Sequence, residues 1–251
     1  MIFHEARFEL FYKKIEQLSH QESLTKQDLL TGKFLLNTQG DLEMYYSPHN
    51  EYLNPDAKIV IVGITPGWTQ MKTAFQQAGN SLHNGHSIPE ILRSAKKAAS
   101  FSGSMRVNLI SMLDGCGVPA ALGVNSSETL FYDKWDLLHT TSVIKYPVFH
   151  QYKNYTGHRP KIEHSSLLSY FAYEIFPKEL GMLKNRSLII PLGKTVEHVF
   201  VMLIAQKELP AHHQYLFGFP HPSGANGHRK KQFEEQIQTF QKIVEKWAKQ
   251  L

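Results

Sequence analysis

The clearest structural signature in this sequence is Lys58-Ile59-Val60-Ile61-Val62-Gly63-Ile64-Thr65-Pro66-Gly67-Trp68-Thr69-Gln70. Its apolar, β-branched residues are bounded by Gly and Pro, which predicts a strand buried on both faces, as in a parallel sheet. Gly63 and Gly67 allow close backbone approach, and Pro66 stiffens the turn between them. We therefore expect an α/β fold built around this strand.

A helix is predicted directly after the turn, with Thr69 as its N-cap. Its inward-facing residues recur at helical spacing and are Met71, Ala74, Phe75 and Ala78. Proteins of the α/β class bind ligands where a buried strand feeds a Gly-rich turn and a helix. The alternative is a tight turn without function.

Composition narrows the class of protein. A chain of 251 residues predicts a single domain over 1–251, with residues 1–57 forming an N-terminal helix and loop packed on it. The single cysteine, Cys116, excludes intrachain disulfides and a cysteine-ligated iron–sulfur cluster. We expect no cofactor and a reducing, cytoplasmic environment.

Charge and hydropathy indicate the kind of partner. The N-terminal residues lack the apolar core of a secretory signal, and no apolar run approaches the roughly 18 residues of a membrane span. The net charge of +5 and the pI of about 9.1 favour polyanionic partners. We expect a monomer that does not contact membranes.

Three further strands are predicted over 137–147, 187–193 and 215–220, the first leading into a loop. Loops are predicted over 37–57 and 79–86. The predicted helices cover 5–20, a segment beginning at Ser87, 104–113, 164–176, 196–205 with Thr195 as cap, and 229 to the end. Strands alternating with helices predict a three-layer α/β/α sandwich with a central four-stranded, mostly parallel sheet.

The functional residues should gather at one edge of this sheet. The loops after residues 63, 142, 193 and 220 all leave carboxyl ends of strands, which converge on one crevice in such folds. That crevice would contain 63–68, Ser142 and 221–229. Arg229, Lys230 and Lys231 begin the last helix, where the helix dipole disfavours cations, so we expect a bound anion there.

A second basic segment follows the strand at 137–147. Its basic and aromatic residues are interleaved: Tyr152, Lys153, Tyr155, His158, Arg159 and Lys161. This pattern is typical of surfaces that meet single strands and flipped bases, although a solvated loop explains it equally well.

At two of these positions the chain resembles the uracil-DNA glycosylase superfamily. Members carry a first motif of the type Gly-x-x-Pro-Gly and a second, near the C-terminus, of the type His-Pro-Ser. Here they are Gly63-Ile64-Thr65-Pro66-Gly67 and His221-Pro222-Ser223-Gly224-Ala225-Asn226. The strand at 140–145 is similar to the base-reading strand between them, and Leu-Gly-Lys-Thr at 192–195 is similar to its counterpart in some branches.

The resemblance implies a DNA glycosylase of base-excision repair that acts on double- or single-stranded DNA. His221 would stabilise the departing base and Thr65 or backbone would position water. Substrate contacts would come from Gly63, Ile64, Pro66, Gly67, Trp68, Phe75, Ser142 and Tyr146. DNA contacts would come from Ser223, Gly224, Ala225, Asn226, His228, Arg229, Lys230 and Lys194.

Three departures from the family pattern bear on the substrate. Thr65 stands where many members have Asp or Asn, and Ser142 stands where Asn often reads the base. Ala225 or Asn226 stands where members usually have a leucine that fills the gap left in the duplex. His228 or Arg229 would then have to fill that gap. We therefore expect a pyrimidine, either uracil or a modified or damaged base such as a modified phage cytosine.

Two other functions stay open on the sequence. The first is a non-catalytic nucleic-acid-binding member of the same fold, indicated by Thr65 and Ser142. The second is a metal-dependent hydrolase that uses His83, His86 and other histidines.

Overall fold

The computed structural model describes residues 7–21 and 23–251. These residues form two compact units, each assembled from three segments of the chain. Unit 1 comprises the described residues up to Leu53 with Thr65–Ser102 and Ile144–Phe176. Unit 2 comprises Asn54–Ile64, Gly103–Val143 and Pro177–Leu251. The chain therefore passes between units at Ile64–Thr65, inside the first motif.

In chain order, the strands found in the described residues are β1 (Leu35–Gln39), β2 (Leu42–Tyr45), β3 (Ile59–Gly63), β4 (Leu138–Ser142), β5 (Val148–His150), β6 (Lys153–Asn154), β7 (Leu188–Pro191) and β8 (Gln214–Tyr215). The α-helices found there are α1 (Phe8–Glu16), α2 (Lys26–Leu29), α3 (Trp68–His83), α4 (Ile88–Ala99), α5 (Ser104–Gly115), α6 (Val118–Leu122), α7 (Ser166–Ser169), α8 (Phe176–Gly181), α9 (Lys194–Ala205) and α10 (Arg229–Ala248). A π-helical segment, Tyr170–Ile175, joins α7 to α8.

Unit 2 contains the predicted parallel sheet. Its strand order is β4-β3-β7-β8, and every pairing in it is parallel. β3 lies between β4 and β7 and is buried along its whole length, as its run of β-branched residues predicts. The register pairs Gly63 with Ser142 and Val62 with Pro191, so three strands end at the same edge.

The fourth strand is shorter than predicted. β8 covers Gln214–Tyr215, and the residues up to Pro220 form a turn. Gly218 adopts a positive φ of 82° and donates its N–H to Glu197 Oε2 at 2.7 Å, and Pro220 has no N–H to donate. Phe219 is buried, and both Phe217 and Phe219 pack against other rings rather than pairing in a strand.

Two predicted helix caps are wrong by two residues. α3 begins at Trp68 with Gly67 as N-cap, whereas Thr69 was the predicted cap. α9 begins at Lys194 with Gly193 as N-cap, whereas Thr195 was predicted. Gly193 adopts a φ of 80°, which favours glycine and which a side-chain propensity for capping does not reveal. Gly67 has an ordinary extended conformation, with φ of −87° and ψ of 175°.

Unit 1 contains a second sheet that the sequence analysis did not predict. Its order is β1-β2-β5-β6, all antiparallel. Residues 37–57, predicted to be loop, include the end of β1, the turn at Gly40 with φ of 57°, and β2. The outer strand β1 exposes Asn37, Thr38 and Gln39, so it lacks the apolar alternation by which strands are recognised.

The helices of unit 1 match the sequence patterns only in part, because α1 ends at Glu16 rather than at residue 20 and the short helix α2 was not predicted. Phe8, Phe11 and Ile15 of α1 are buried, while residues 5 and 6 of the predicted helix lie outside the described residues. α4 begins after Ser87 with the predicted capping box. The segment 79–86 was predicted to be loop, but α3 continues to His83.

The core of unit 1 contains a buried lysine, Lys96. Lys96 of α4 carries a charged side chain, yet only 1% of the residue is exposed. Its Nζ donates a hydrogen bond to Asn50 Oδ1 at 2.6 Å, and Asn50 Nδ2 donates to the Lys145 carbonyl at 2.6 Å. Such a bond offsets part of the cost of burying an ammonium group.

The C-terminal helix α10 packs through residues on one apolar face. Phe240, Val244 and Trp247 are buried, whereas Leu251 lies beyond the helix and is 49% exposed. Trp247 Nε1 donates to the Arg186 carbonyl at 3.0 Å. Of the helices in the described part of the chain, none is long and apolar enough to cross a bilayer.

Candidate active site

The ends of β3 and β4 bring two predicted site residues together. Gly63 and Ser142 are register partners, and the Val143 N–H donates to the Gly63 carbonyl at 3.0 Å. Ser142 is 8% exposed. The strand pairing therefore places the Ser142 hydroxyl beside the start of the first motif, as expected from a parallel sheet.

His221 of the second motif packs against Gly193. A Cβ on Gly193 would lie 3.2 Å from the His221 Cβ, and Gly193 adopts a φ of 80°. The Gly193 N–H donates to the Phe219 carbonyl at 2.9 Å. Only glycine combines this conformation with this close approach. Sequence reasoning missed this role, although the Gly in Leu-Gly-Lys-Thr was a visible signal.

The surroundings of His221 decide its protonation. Burial lowers the pKa of the imidazole, which favours the neutral form. The Ser223 N–H donates to His221 Nδ1 at 3.2 Å. Because Nδ1 accepts this bond, the single proton of the neutral ring must sit on Nε2. His221 is therefore a neutral residue with an Nε2–H donor.

The loop that carries His221, residues 221–228, is held by two helices of unit 2. We call it the His-Pro-Ser loop. Asn108 of α5 donates from Nδ2 to the Pro222 carbonyl at 2.8 Å. Arg229 of α10 donates from Nη1 to the Ser223 carbonyl at 2.7 Å and from Nη2 to Asn108 Oδ1 at 3.3 Å. Asn108 was not recognised from the sequence.

Arg229 therefore has a structural role that its predicted DNA contact did not anticipate. Asn226 is also engaged, since its Nδ2 donates to Gln232 Oε1 at 3.0 Å and to the His221 carbonyl at 3.3 Å. The predicted DNA-binding residues that remain exposed are Gly224, Ala225, His228, Lys230 and Lys194. Ser223 is partly exposed, and its Oγ accepts the Ala225 N–H at 3.2 Å.

In unit 1, the Thr65 hydroxyl is committed to the protein. Oγ1 donates to the Tyr146 carbonyl at 2.7 Å and accepts the Val148 N–H at 3.1 Å. One lone pair remains to accept a hydrogen bond from water, but the hydroxyl proton is already used. Thr65 thus ties the first motif to the segment after β4.

The amides at the start of α3 are also satisfied internally. The Gly67 N–H donates to Gln70 Oε1 at 3.1 Å, and the Trp68 N–H donates to Asn154 Oδ1 at 3.0 Å. A Cβ on Gly67 would lie 3.3 Å from Asn154 Nδ2. These amides were expected to hold phosphate or base, and Asn154, which the sequence analysis did not single out, occupies one of them.

The three aromatic residues among the predicted substrate contacts differ in how accessible they are. Phe75 is 1% exposed and packs on Phe34 with ring centroids 4.8 Å apart. Tyr146 is 2% exposed and donates its hydroxyl to Glu51 Oε1 at 3.0 Å. Both rings are core residues with no accessible face. Trp68 is partly exposed, Ile64 is partly exposed and Pro66 is buried.

The proposed histidine ligands of a metal do not gather with other ligands. His83 meets the ring of His20 edge-on at 5.9 Å. Across 7–21 and 23–251, no group of three or more His, Cys, Asp or Glu side chains is arranged to hold a metal ion. The metal-dependent hydrolase therefore has no ligand set in these residues.

The chain thus has a parallel sheet with a glycine turn after the central strand and a neutral histidine on a later loop. Similarity to known proteins identifies the same class of protein. The chain matches the Uracil DNA glycosylase superfamily over residues 51–248 and belongs to that family. This confirms the predicted family and its fold class, a three-layer α/β/α sandwich around a four-stranded, mostly parallel sheet.

One relative extends over nearly the whole chain. It is the "Uncharacterized protein YoxB" of Bacillus subtilis (strain 168), which is 50% identical over 252 residues, covering 98% of this chain and 97% of YoxB. No solved structure matches the chain.

Proposed function

We propose that this protein is a monofunctional DNA glycosylase that hydrolyses the N-glycosidic bond of a pyrimidine nucleotide extruded from DNA. The observation that carries the proposal is the state of His221, a neutral imidazole with its Nδ1 occupied, on the second motif of a superfamily member. The family match covers residues 51–248 and so includes both motifs.

His221 has a defined task in this reaction. As the glycosidic bond breaks, positive charge grows on the sugar and negative charge on the departing base. A preorganised donor aimed at the developing anion lowers the barrier by roughly 3 kcal/mol. His221 Nε2–H is that donor, and the hydrogen bonds from Asn108 to the Pro222 carbonyl and from Arg229 to the Ser223 carbonyl hold its loop in place before the reaction begins.

The attacking water needs positioning more than deprotonation. An oxocarbenium-like sugar is a strong electrophile, so a weakly activated water is sufficient. Thr65 Oγ1 accepts one hydrogen bond from that water through its remaining lone pair, but it does not take a proton. We expect such an enzyme to be slower than members with a carboxylate at this position.

Ser142 reads the base in this proposal. A hydroxyl both donates and accepts, but it offers one contact point where an asparagine amide offers two. Unstacking the nucleotide costs a few kcal/mol, and less for a damaged or mispaired base. The substrate class is therefore uracil or a modified or damaged pyrimidine, including a modified phage cytosine.

The test is base release from a panel of duplex and single-stranded oligonucleotides. The panel carries uracil, hypoxanthine, mispaired thymine and modified cytosines, and the readouts are the free base and an alkali-labile abasic site. His221→Ala should reduce the single-turnover rate about 10²- to 10³-fold. His164→Ala removes an exposed histidine and should leave it unchanged. Binding without base release on every substrate contradicts catalysis.

A second candidate is a non-catalytic DNA-binding member of the family. The internal hydrogen bonds of Thr65, Gly67 and Trp68 favour it, because they occupy groups that catalysis would use. It predicts salt-dependent DNA affinity that His221→Ala barely alters. A cytoplasmic, monomeric protein acting in DNA repair is part of both proposals.

A further inference from the structure

The β5–β6 hairpin of unit 1 has an unusual tip. Its strands pair Phe149 with Asn154 and His150 with Lys153, so two residues form the turn. These residues, Gln151 and Tyr152, adopt φ values of 50° and 60°. Two positive φ values in a two-residue turn are normally supplied by Asn and Gly, and a bulky residue there is strained.

Packing does not account for the tyrosine. Tyr152 is 63% exposed, the largest exposed fraction of any aromatic residue in the described ranges. Because packing of the core does not require this strained conformation, the strain indicates a role in binding rather than in folding. A ring held at a hairpin tip presents its faces to a ligand.

The tip is nevertheless fixed in place. Lys26 Nζ donates to the Tyr152 carbonyl at 2.8 Å, and Gln151 Nε2 donates to Asp41 Oδ2 at 2.9 Å. Lys26 Nζ also lies 6.0 Å from the centroid of the Trp68 ring. The following strand returns through Asn154, which accepts the Trp68 N–H. The hairpin is thus attached to the first motif.

The surface around Tyr152 is mainly basic. Lys26 and Lys153 are exposed beside it, and the acidic neighbours are Asp41 and, on the adjacent strand β2, Glu43. The segment that follows adds exposed cationic or titratable side chains at His158, Arg159 and Lys161. Tyr155, which the sequence analysis grouped with them, is 4% exposed and donates to the Pro160 carbonyl. One exposed ring therefore stands among cations.

We propose that the β5–β6 hairpin is a DNA-binding element in which Tyr152 stacks on an unpaired base while Lys26 and Lys153 neutralise phosphates. The proposal rests on the proposed function in taking DNA as the ligand. Stacking on any base face requires no hydrogen-bond readout, so the contact tolerates sequence. It gives this chain an aromatic DNA contact that the small residues Ala225 and Asn226 do not offer.

Tyr152→Gly is the decisive variant, because it removes the ring and relieves the turn at once. Binding is measured by fluorescence anisotropy on a 15-nucleotide single strand and on a duplex with one tetrahydrofuran abasic site. We expect Tyr152→Gly to weaken binding about 5- to 150-fold, while its melting temperature stays equal to that of the wild type or rises. Loss of affinity then has no unfolding explanation.

Three matched variants complete the design. Tyr152→Phe keeps the ring and should bind within about twofold of the wild type. Lys153→Ala should reduce the slope of log K against log salt by about 0.7 on the single strand. Tyr132→Ala removes another exposed tyrosine, 48% exposed, and should change neither quantity.

Two results overturn the inference: a wild type that binds neither DNA, or Tyr152→Gly that binds both DNAs within twofold of the wild type. Base release, assayed separately, keeps the two proposals apart. Affinity lost in Tyr152→Gly without base release by the wild type supports the hairpin and contradicts catalysis. Base release with unchanged affinity in Tyr152→Gly supports catalysis and contradicts the hairpin.

Discussion

A histidine that accepts a hydrogen bond at Nδ1 while it donates from Nε2 must be neutral and in one tautomer. His221 meets the first requirement through burial, which lowers its pKa, and the second through the Ser223 N–H on Nδ1. Neither depends on a charged partner. The same two effects act against protonation, because a proton on Nδ1 would face the Ser223 N–H donor.

Gly193, which packs against His221, can be tested by substitution. Gly193→Ala adds a methyl group 3.2 Å from the His221 Cβ at a φ of 80°. We expect a loss of about 1–3 kcal/mol in the free energy of unfolding, and a fall in base release beyond what the unfolded fraction explains, since His221 must move.

Gly181→Ala is the matched control, because Gly181 has an ordinary φ and no atom within 4 Å of a built Cβ. Urea denaturation and single-turnover base release are measured on both variants. Equal behaviour of Gly193→Ala and Gly181→Ala would show that the close contact with His221 does not matter.

At the scale of elements, α5 and α10 act as supports for the His-Pro-Ser loop. Loops keep catalytic geometry only when their backbone polar groups are held by rigid neighbours. Asn108 and Arg229 bind two consecutive carbonyls, Pro222 and Ser223, and also contact each other. The basic first turn of α10 is thus partly explained by loop anchoring, with Lys230 and Lys231 left exposed.

Asn108→Ala tests this support. It removes a 2.8 Å bond to the Pro222 carbonyl and an acceptor of Arg229, so we expect about 1–2 kcal/mol lower stability. Because Asn108 is a positioning residue, the single-turnover rate should fall while affinity for undamaged duplex stays the same. Asn185→Ala, which removes a 2.6 Å bond from an exposed amide to the Asp56 carbonyl, is the control. A loss of duplex affinity in Asn108→Ala would contradict a positioning role.

At the scale of the whole molecule, both units bury neutral histidines. Burial lowers the pKa of His49 in unit 1, and in unit 2 it lowers that of His221 and, with the neighbouring His212, that of His213 to about 4. A depressed histidine pKa means that the unfolded chain binds more protons between the two pKa values. The stability that these histidines contribute is therefore complete above about pH 6.5 and is lost as the pH decreases. The raised pKa of Glu51, caused mainly by burial, has the opposite effect.

The variant His213→Asn isolates the contribution of His213 to this pH dependence of stability. An Asn Oδ1 can accept the Ser187 N–H that His213 Nδ1 now accepts at 3.2 Å, but it does not titrate. We expect the difference in unfolding free energy between the wild type and His213→Asn to shrink between pH 6.5 and pH 4. Urea denaturation at pH 7, 5.5 and 4.5 measures it. A difference independent of pH would show that His213 is not neutralised by burial.

The sequence alone determined the parallel sheet of unit 2, its central strand and the family. These follow from local signals: β-branched runs, glycine turns and two motifs whose residues are contiguous in the chain. The neighbouring positions of Gly63 and Ser142 also followed, because parallel pairing aligns strand ends.

Only the tertiary structure decided which candidate side chains are accessible or engaged. Phe75 and Tyr146 are core residues, Thr65 and the α3 amides are hydrogen-bonded within unit 1, and Arg229 anchors a loop. The partners that impose these roles are as distant in the chain as Asn108 and Pro222, or Trp68 and Asn154. No local pattern encodes such a pairing, because it arises when separate segments compete to satisfy the same buried donors and acceptors.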